Sequence, residues 1–558
     1  MYVCPGCAGN LKFDIARQQL ICESCDTQID PYSFYKETDA EETRYTSEED
    51  DYEITVFTCP QCGGELVSED VTAATFCSFC GGSTILDSRI SRERRPQKII
   101  PFTRTKEDCR AAYKKLVGRA VFAPRALKDE SLIQQFRGIY MPYWVYSFVK
   151  NETVTFPGRV TSRSGDYLIT DHYSLECQVE ECYQGLAFDG SSTFSDNLSS
   201  AIGPFDLGEG KPFVPSFLSG FYADTSDVEQ TVYLQDAEDL VVRDAGSILA
   251  ADPVCKTYQA GQGGDWYGFR TAVCPWDRTV ELALLPVWFL SYRNGDRVSY
   301  AVVNGQTGKA AADLPVDGKR YLAGSLLLAV PLFFLLNRFF TLTPGKLLLA
   351  GVLLACVCLG ISNSQLTHMI ARESGEDDKG FTFRNRPGGE APSGWDRTKG
   401  NAPVQKSREN SIVEVICMLL LFYCIADLLS YLLYLAGNES MYSVVQILMI
   451  ILILGATVLR FFAVKKEPRW KRGNAGEKPL GGGHFKEKWP VLRKPLAGIG
   501  LAVLILVWHP VSDWFYYLGA LGCMGTVLWA ILDMIRQHNV LATRKLPQLG
   551  RRGGEERG

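Results

Sequence analysis

The sequence predicts a multi-domain chain: two small Cys4 ribbons, an α+β cytoplasmic domain, and an all-α bundle of about six transmembrane helices. Three observations lead there. Eight of the eighteen cysteines repeat one spacing, the middle of the chain carries β-branched and aromatic runs, and apolar residues crowd in after residue 318. With 558 residues, the chain is too long for one compact core, since domains usually run about 100–200 residues.

The cysteines come first. Cys4, Cys7, Cys22 and Cys25 are spaced C-x2-C-x14-C-x2-C, and Cys59, Cys62, Cys77 and Cys80 repeat that spacing 55 residues later. Two residues between thiolates let one tight turn place both sulfurs on an ion, and a hairpin returns the second pair opposite. This is the pattern of a Cys4 zinc ribbon, and it predicts two structural Zn2+ ions. Ribbon 1 is assigned to residues 1–36 and ribbon 2 to residues 54–90, with Gly63, Gly64, Gly81 and Gly82 suited to the turns. A disulfide framework fits less well, because paired C-x-x-C turns without a signal peptide point to a reducing cytoplasm. The other ten cysteines read mostly as small buried hydrophobes. Cys177 and Cys182 with His172 are irregularly spaced, and no site is assigned to them.

Residues 37–53 hold nine acids against Arg44 alone, a composition that reads as a solvated acidic linker. Over residues 1–90, five Lys and Arg stand against seventeen Asp and Glu, a net charge of -12. Duplex DNA would repel such a region, so binding of nucleic acid through the ribbons is disfavoured.

Residues 91–318 read as the α+β domain. Thr105 is a plausible N-cap for KEDCRAAYKKLVGRA, with acids in the first turn. IYMPYWVYSF, ETVTFPGRV and YLITDHYSLECQV have strand character, and a helix is expected downstream with a cap near Asp224 or Ser226. Asn294-Gly295 between two alternating runs predicts a hairpin, with a second turn at Asn304-Gly305. Pro142–Val145 and Pro286–Phe289 share P-x-W-(V/F), which hints at related halves. Tyr140, Tyr143, Trp144, Trp288 and Phe289 are assigned to the core rather than to an exposed groove.

The apolar half is expected to form three hairpins, at 319–364, 411–464 and 491–535, of which the fifth span is the weakest because its purely apolar part is PLAGIGLAVLILVW. Between them lie a charged loop at 365–410, a basic loop at 465–490, and a tail at 536–558. Eight Lys and Arg in 364–410 and ten in 465–494 place these segments, and both termini, on the cytoplasmic side of the plasma membrane. Glu414, Asp427 and Asp513 lie within the expected spans and His509 at a turn; of the carboxylates only Asp427 is deep. The basic loop, flanked by Trp470 and Trp489, is suited to anionic lipid headgroups. No G-x-x-x-x-G-K-(S/T), H-E-x-x-H or G-x-S-x-G occurs, so P-loop, zincin and hydrolase chemistry have no support.

Taken together, the ribbons, KIIPF (Lys98–Phe102), FRGIYMPYWVY (Phe136–Tyr146), FLSGFYAD (Phe217–Asp224), LLPVWFL (Leu284–Leu290) and VNGQTGK (Val303–Lys309) resemble the bacterial double zinc-ribbon membrane proteins common in Gram-positive species. The resemblance covers roughly residues 1–350. It implies a cytoplasmic recruitment role, since some such proteins are associated with phage-shock-type and flotillin-like membrane stress systems. The long charged loop and six expected spans depart from that pattern.

The resulting expectation is a non-enzymatic membrane scaffold with no catalytic residues, contacting membrane lipids and recruiting a cytoplasmic protein partner. The alternative is a transporter or channel-like membrane protein with a regulatory ribbon region.

Overall fold

The computed structural model describes residues 2–34, 51–68, 77–82, 86–260, 274, 277–339, 343–374, 378–380, 484–508 and 510–545. The chain divides into two compact units. The first is Met1–Leu314 with Gly375–Ser393 and Thr543–Gly558, and the second is Pro315–Ser374 with Gly394–Ala542.

The first unit is dominated by sheet. Strands β1 (Leu11–Asp14), β2 (Gln19–Cys22) and β3 (Gln28–Ile29) form a small sheet of their own in that order. The period-2 alternation of a strand turns Leu11, Phe13, Leu20 and Cys22 inward. All the other strands join one twelve-stranded sheet: β4 (Asp51–Thr58), β5 (Glu65–Val67), β6 (Asp87–Arg94), β7 (Lys98–Ile99), β8 (Arg137–Ser164), β9 (Tyr167–Asp189), β10 (Lys211–Pro212), β11 (Tyr222–Ala223), β12 (Asp277–Asn294), β13 (Arg297–Asn304), β14 (Ala310–Ala312) and β15 (Arg544–Lys545). Their order is β10-β7-β12-β8-β11-β5-β4-β6, with β13 beside β12 and β9 beside β8. The second ribbon is therefore part of the main sheet, whereas the first keeps a sheet to itself.

Antiparallel pairing of β8 with β12 forms the centre. The two P-x-W segments lie in these adjacent strands, with Pro142 opposite Leu284 and Trp288 opposite Gly138. Tyr140, Tyr143, Trp144, Trp288 and Phe289 are all buried, as a core assignment requires. The runs expected as separate strands merge, because β8 continues unbroken for 28 residues and folds back through Gly165-Asp166 into 23 residues of β9. The β12–β13 hairpin forms with Asn294 opposite Arg297, and Gly295 takes the left-handed conformation at φ 66°.

Helix α1 (Lys106–Arg119) starts where its cap predicts: Thr105 Oγ1 accepts from the Asp108 amide, and Asp108 accepts from the Thr105 amide in return. It buries Cys109, Tyr113 and Val117, four residues apart along one face. Helix α2 (Asp196–Ile202) is short. The helix expected from Asp224 or Ser226 begins only at Leu234, as α3 (Leu234–Ala251). The reason is local: the Asp224 and Asp227 carboxylates accept hydrogen bonds from residues 191–193 and are not available as caps.

The second unit is helical: α4 (Gly318–Phe339), α5 (Pro344–Ser374), α6 (His484–Trp508) and α7 (Asp513–Leu541). Helices α5, α6 and α7 share a seam of Leu348, Val352, Ala355 and Cys358, Ile499, Ala502 and Ile505, and Ala520, Cys523, Val527 and Ala530. Small residues set the closeness of the fit. A Cβ at Gly519 would stand 2.5 Å from Ile505, and one at Gly351 would stand 3.2 Å from Cys523.

This corrects the expected bundle of about six transmembrane helices. Among the described residues, two helices are long and apolar enough to cross a membrane, in Gly318–Leu335 and Asp513–Leu541. In α5 the apolar run ends at Ser362, Asn363, Ser364 and Gln365, short of the roughly 20 residues a span needs. Helix α6 carries Arg493 and Lys494 ahead of its apolar stretch. The hairpin expected at 411–464, with Glu414 and Asp427, lies outside the described residues, as do His509 and Trp470. Asp513 is the first residue of α7.

Candidate metal centres

Four turns, built alike, create the two cysteine groups. In each, the amide of the first cysteine donates to the carbonyl five residues on, and its own carbonyl accepts from the amide four residues on. The pairs are Cys4–Gly9 and Ala8–Cys4, Cys22–Thr27 and Asp26–Cys22, Cys59–Gly64 and Gly63–Cys59, and Cys77–Gly82 and Gly81–Cys77, at 2.8–3.0 Å. The fifth residue of each turn is left-handed, with φ 58° at Ala8, 56° at Asp26, 73° at Gly63 and 67° at Gly81. Glycine takes that conformation freely, whereas Ala8 and Asp26 are held in it by the turn. Gly64 serves a different need: a Cβ there would stand 2.6 Å from the Phe79 ring.

These turns bring all eight sequence-assigned ligands together as two groups. Within Cys4, Cys7, Cys22 and Cys25, and again within Cys59, Cys62, Cys77 and Cys80, the sulfurs all lie within 4.8 Å of one another. The close pairs are Cys7–Cys22 at 3.3 Å, Cys62–Cys77 at 3.6 Å, Cys4–Cys25 at 3.7 Å and Cys59–Cys80 at 3.8 Å. Four thiolates around a tetrahedral ion at about 2.3 Å must lie roughly 3.8 Å apart, whereas a disulfide needs about 2 Å. All eight cysteines are free. The spacing fits a metal cage and excludes the disulfide framework.

The charge chemistry agrees. Hydrogen bonding to Cys59 pushes the Cys62 and Cys77 thiols up, while Cys59 is drawn down. Four thiols this close ionise together only when a cation compensates them. At the first cage, the Thr27 hydroxyl, 3.0 Å from Cys25 Sγ, and the Thr27 amide lower the Cys25 thiol to about 6. With four sulfurs supplied by protein, a tetrahedral ion has no open position for water or substrate, which is the structural rather than the catalytic arrangement.

The cages differ in their surroundings. All four sulfurs of the second are buried, in one apolar cluster with Leu66, Phe79, Val287 and Phe289. In the first, Cys4 and Cys22 are buried while Cys7 and Cys25 are exposed.

No family model matches the chain, and no solved structure matches it. It is similar to the uncharacterized protein YdjG of Bacillus subtilis (strain 168), with 28% identity over 354 residues, covering 60% of this chain and 97% of that relative. That relative carries no assigned activity, so the chemistry rests on the residues of this chain.

His172, Cys177 and Cys182 all lie on β9, and the structure joins none of them to either cage. Cys109, Cys255, Cys358 and Cys523 are buried, as expected of small hydrophobes, but Cys182 is exposed.

One constellation escaped sequence reasoning. Asp224 is buried and accepts from Ser191 Oγ and Thr193 Oγ1, each at 2.5 Å, and Asp227 accepts from the Ser192 amide and hydroxyl. Burial pushes Asp224 up to about 7, with Asp227 adding to the effect. Asp189, also buried, is held well above the carboxylate range by desolvation, with Asp196 and Asp378 nearby. Asp378 in turn pairs with Arg544 at 2.6 Å, and Lys379 pairs with Asp236. The signal available in sequence was the hydroxyl run Ser191-Ser192-Thr193 beside Asp189, matched by Asp224-Thr225-Ser226-Asp227.

Proposed function

We propose that the chain is a non-enzymatic, zinc-binding membrane protein that recruits a protein partner to the cytoplasmic face in membrane homeostasis or stress. The observation that carries this reading is the pair of closed four-sulfur cages, which can fix a surface but leave no coordination site for a reaction. Zinc is the ion favoured by four thiolates in tetrahedral array without redox chemistry.

Membrane embedding is supported by α4. Its Leu326, Leu327, Leu328, Phe333, Phe334 and Leu335 are all exposed, and an 18-residue window at 1.5 Å per residue spans about 27 Å, close to the hydrocarbon thickness. The basic segments at 364–410 and 465–494 orient the soluble mass toward the cytoplasm.

The test is chemical crosslinking of the full chain in native membranes, with partners identified by mass spectrometry. Deleting residues 1–90 is unsuitable, because β4, β5 and β6 belong to the main sheet. A Cys4→Ser/Cys7→Ser variant opens only the first cage. An unchanged partner set in that variant would remove the ribbon from the recruitment role.

A second reading, ion-coupled transport, is favoured by one observation: Lys494 and Asp533 form a largely buried ion pair between α6 and α7. It predicts that Asp533→Asn abolishes a measurable flux in reconstituted vesicles. Retained flux, or none in the parent chain, removes it.

A further inference from the structure

We propose that the two cages are chemically unequal. The Cys59, Cys62, Cys77 and Cys80 cage holds its ion as part of the core and releases it slowly. The Cys4, Cys7, Cys22 and Cys25 cage is an exchangeable, peroxide-reactive metal site. The proposal rests on the zinc reading above and extends it.

Three observations carry the distinction. The first is burial. In the second cage, residues 77–80 are all buried, and Cys59 and Cys62 are each 1% exposed. In the first, Pro5, Gly6, Cys7 and Ala8 are exposed, as is the whole second turn from Glu23 to Gln28.

The second is attachment. The second cage sits between strands of the main sheet: β5 pairs with β11 at Val67–Ala223, and β4 pairs with β6 along its whole length. The Phe79 ring stands edge-on to Phe289 at 5.7 Å, and Arg293 Nη1 donates to Gln61 Oε1 at 2.9 Å. Opening this cage would expose the centre of the core.

The third is where the first ribbon is held. Its anchors are made by residues outside the two cysteine turns, in β1, in the turn to β2 and after β3. Phe13 N donates to Ser219 O at 3.0 Å, Gln18 Nε2 to Phe102 O at 2.7 Å, and Ser216 Oγ to Pro31 O at 2.7 Å. Phe13 and Tyr32 both pack on the Phe217 ring. The two turns can therefore open while strands β1 and β2 stay docked, a local opening that costs far less than global unfolding.

The chemistry follows from geometry. Cys7 is exposed and its sulfur stands 3.3 Å from that of Cys22. A peroxide oxidises Cys7 to a sulfenic acid, and the Cys22 thiolate then displaces hydroxide to close a disulfide. In total, two thiolates and one hydrogen peroxide give one disulfide and two hydroxide ions. The sulfurs lose the two electrons that the O–O bond gains, and the dication, left with two ligands, departs to solvent.

The experiment uses the full chain, purified in detergent under reducing conditions and then freed of reductant. Bound zinc is first counted by elemental analysis. Hydrogen peroxide, and separately EDTA, is then added while released zinc is followed with a colorimetric indicator and alkylated cysteines are mapped by mass spectrometry. The expected result is release in two phases separated by about tenfold or more in rate. The first equivalent should accompany modification at Cys7 and Cys22 under peroxide, or labelling of Cys4, Cys7, Cys22 and Cys25 under EDTA. A Phe79→Leu variant should accelerate only the second phase. Release of both equivalents in one phase, or labelling first at Cys59–Cys80, overturns the proposal. Fewer than two zinc ions at the outset would instead overturn the zinc reading beneath it.

Discussion

The Phe79 ring meets Phe289 edge-on, with centroids 5.7 Å apart, and so ties the second cage to the central strand β12. Both rings are buried, at 2% and 1% exposure. Phe289→Ala should cost about 3–5 kcal/mol of unfolding free energy by leaving a cavity. The same variant should speed zinc loss from the second cage while leaving the first unchanged, which combines a denaturation curve with a zinc-release trace. An unaltered second cage would show that it does not depend on the core.

The buried Asp224 makes stability pH-dependent in an unusual direction. Its folded carboxyl titrates at about 7 against an unfolded value near 3.8, so the folded state holds the extra proton. Its contribution is full below pH 3.8 and is lost as pH rises through about 7. Relative to Asp224→Asn, the parent chain should lose about 2–3 kcal/mol between pH 5 and pH 8. Parallel pH profiles for the two proteins would contradict this.

Thr105 and Asp108 cap α1 reciprocally. Thr105→Ala should destabilise the first unit by about 1 kcal/mol, read as a lower denaturation midpoint with unchanged slope. Thr105→Ser should restore most of the loss.

Lys494 pairs with Asp533, and its ammonium lies 4.5 Å from the Trp529 ring centre. Asp533→Leu alone strands a buried cation and should cost about 3–5 kcal/mol, whereas Lys494→Met with Asp533→Leu should be near neutral. A double-mutant cycle in detergent measures both. Additive costs would mean that the two charges do not act as a pair.

How far the sequence could be read depended on how many residues specify each feature. The two cysteine groups were legible because holding one ion fixes ligand type and spacing, which a disulfide framework does not require of C-x2-C-x14-C-x2-C. The β12–β13 hairpin was legible for a similar reason, since Asn294-Gly295 leaves few backbone alternatives. The run of β8 through Pro157-Gly158 was not, because those residues usually end a strand and only pairing with β9 carries it on. Asp224 read as a helix cap because the carboxylate that caps a helix equally accepts buried hydroxyls, and its partners Ser191 and Thr193 lie more than thirty residues away. The spans expected in α5 and α6 failed for a comparable reason: an apolar stripe that faces lipid and one that faces a neighbouring helix have the same composition, and Ala355, Cys358 and Ala502 take the second course.

The most direct test of the central claim is the metal content of the full chain, purified in detergent under reducing conditions and measured by elemental analysis with parallel cysteine alkylation. The account predicts two zinc ions per chain, with Cys59, Cys62, Cys77 and Cys80 protected from alkylation until the protein unfolds. A metal-free chain whose eight cysteines alkylate freely in the folded state would contradict it.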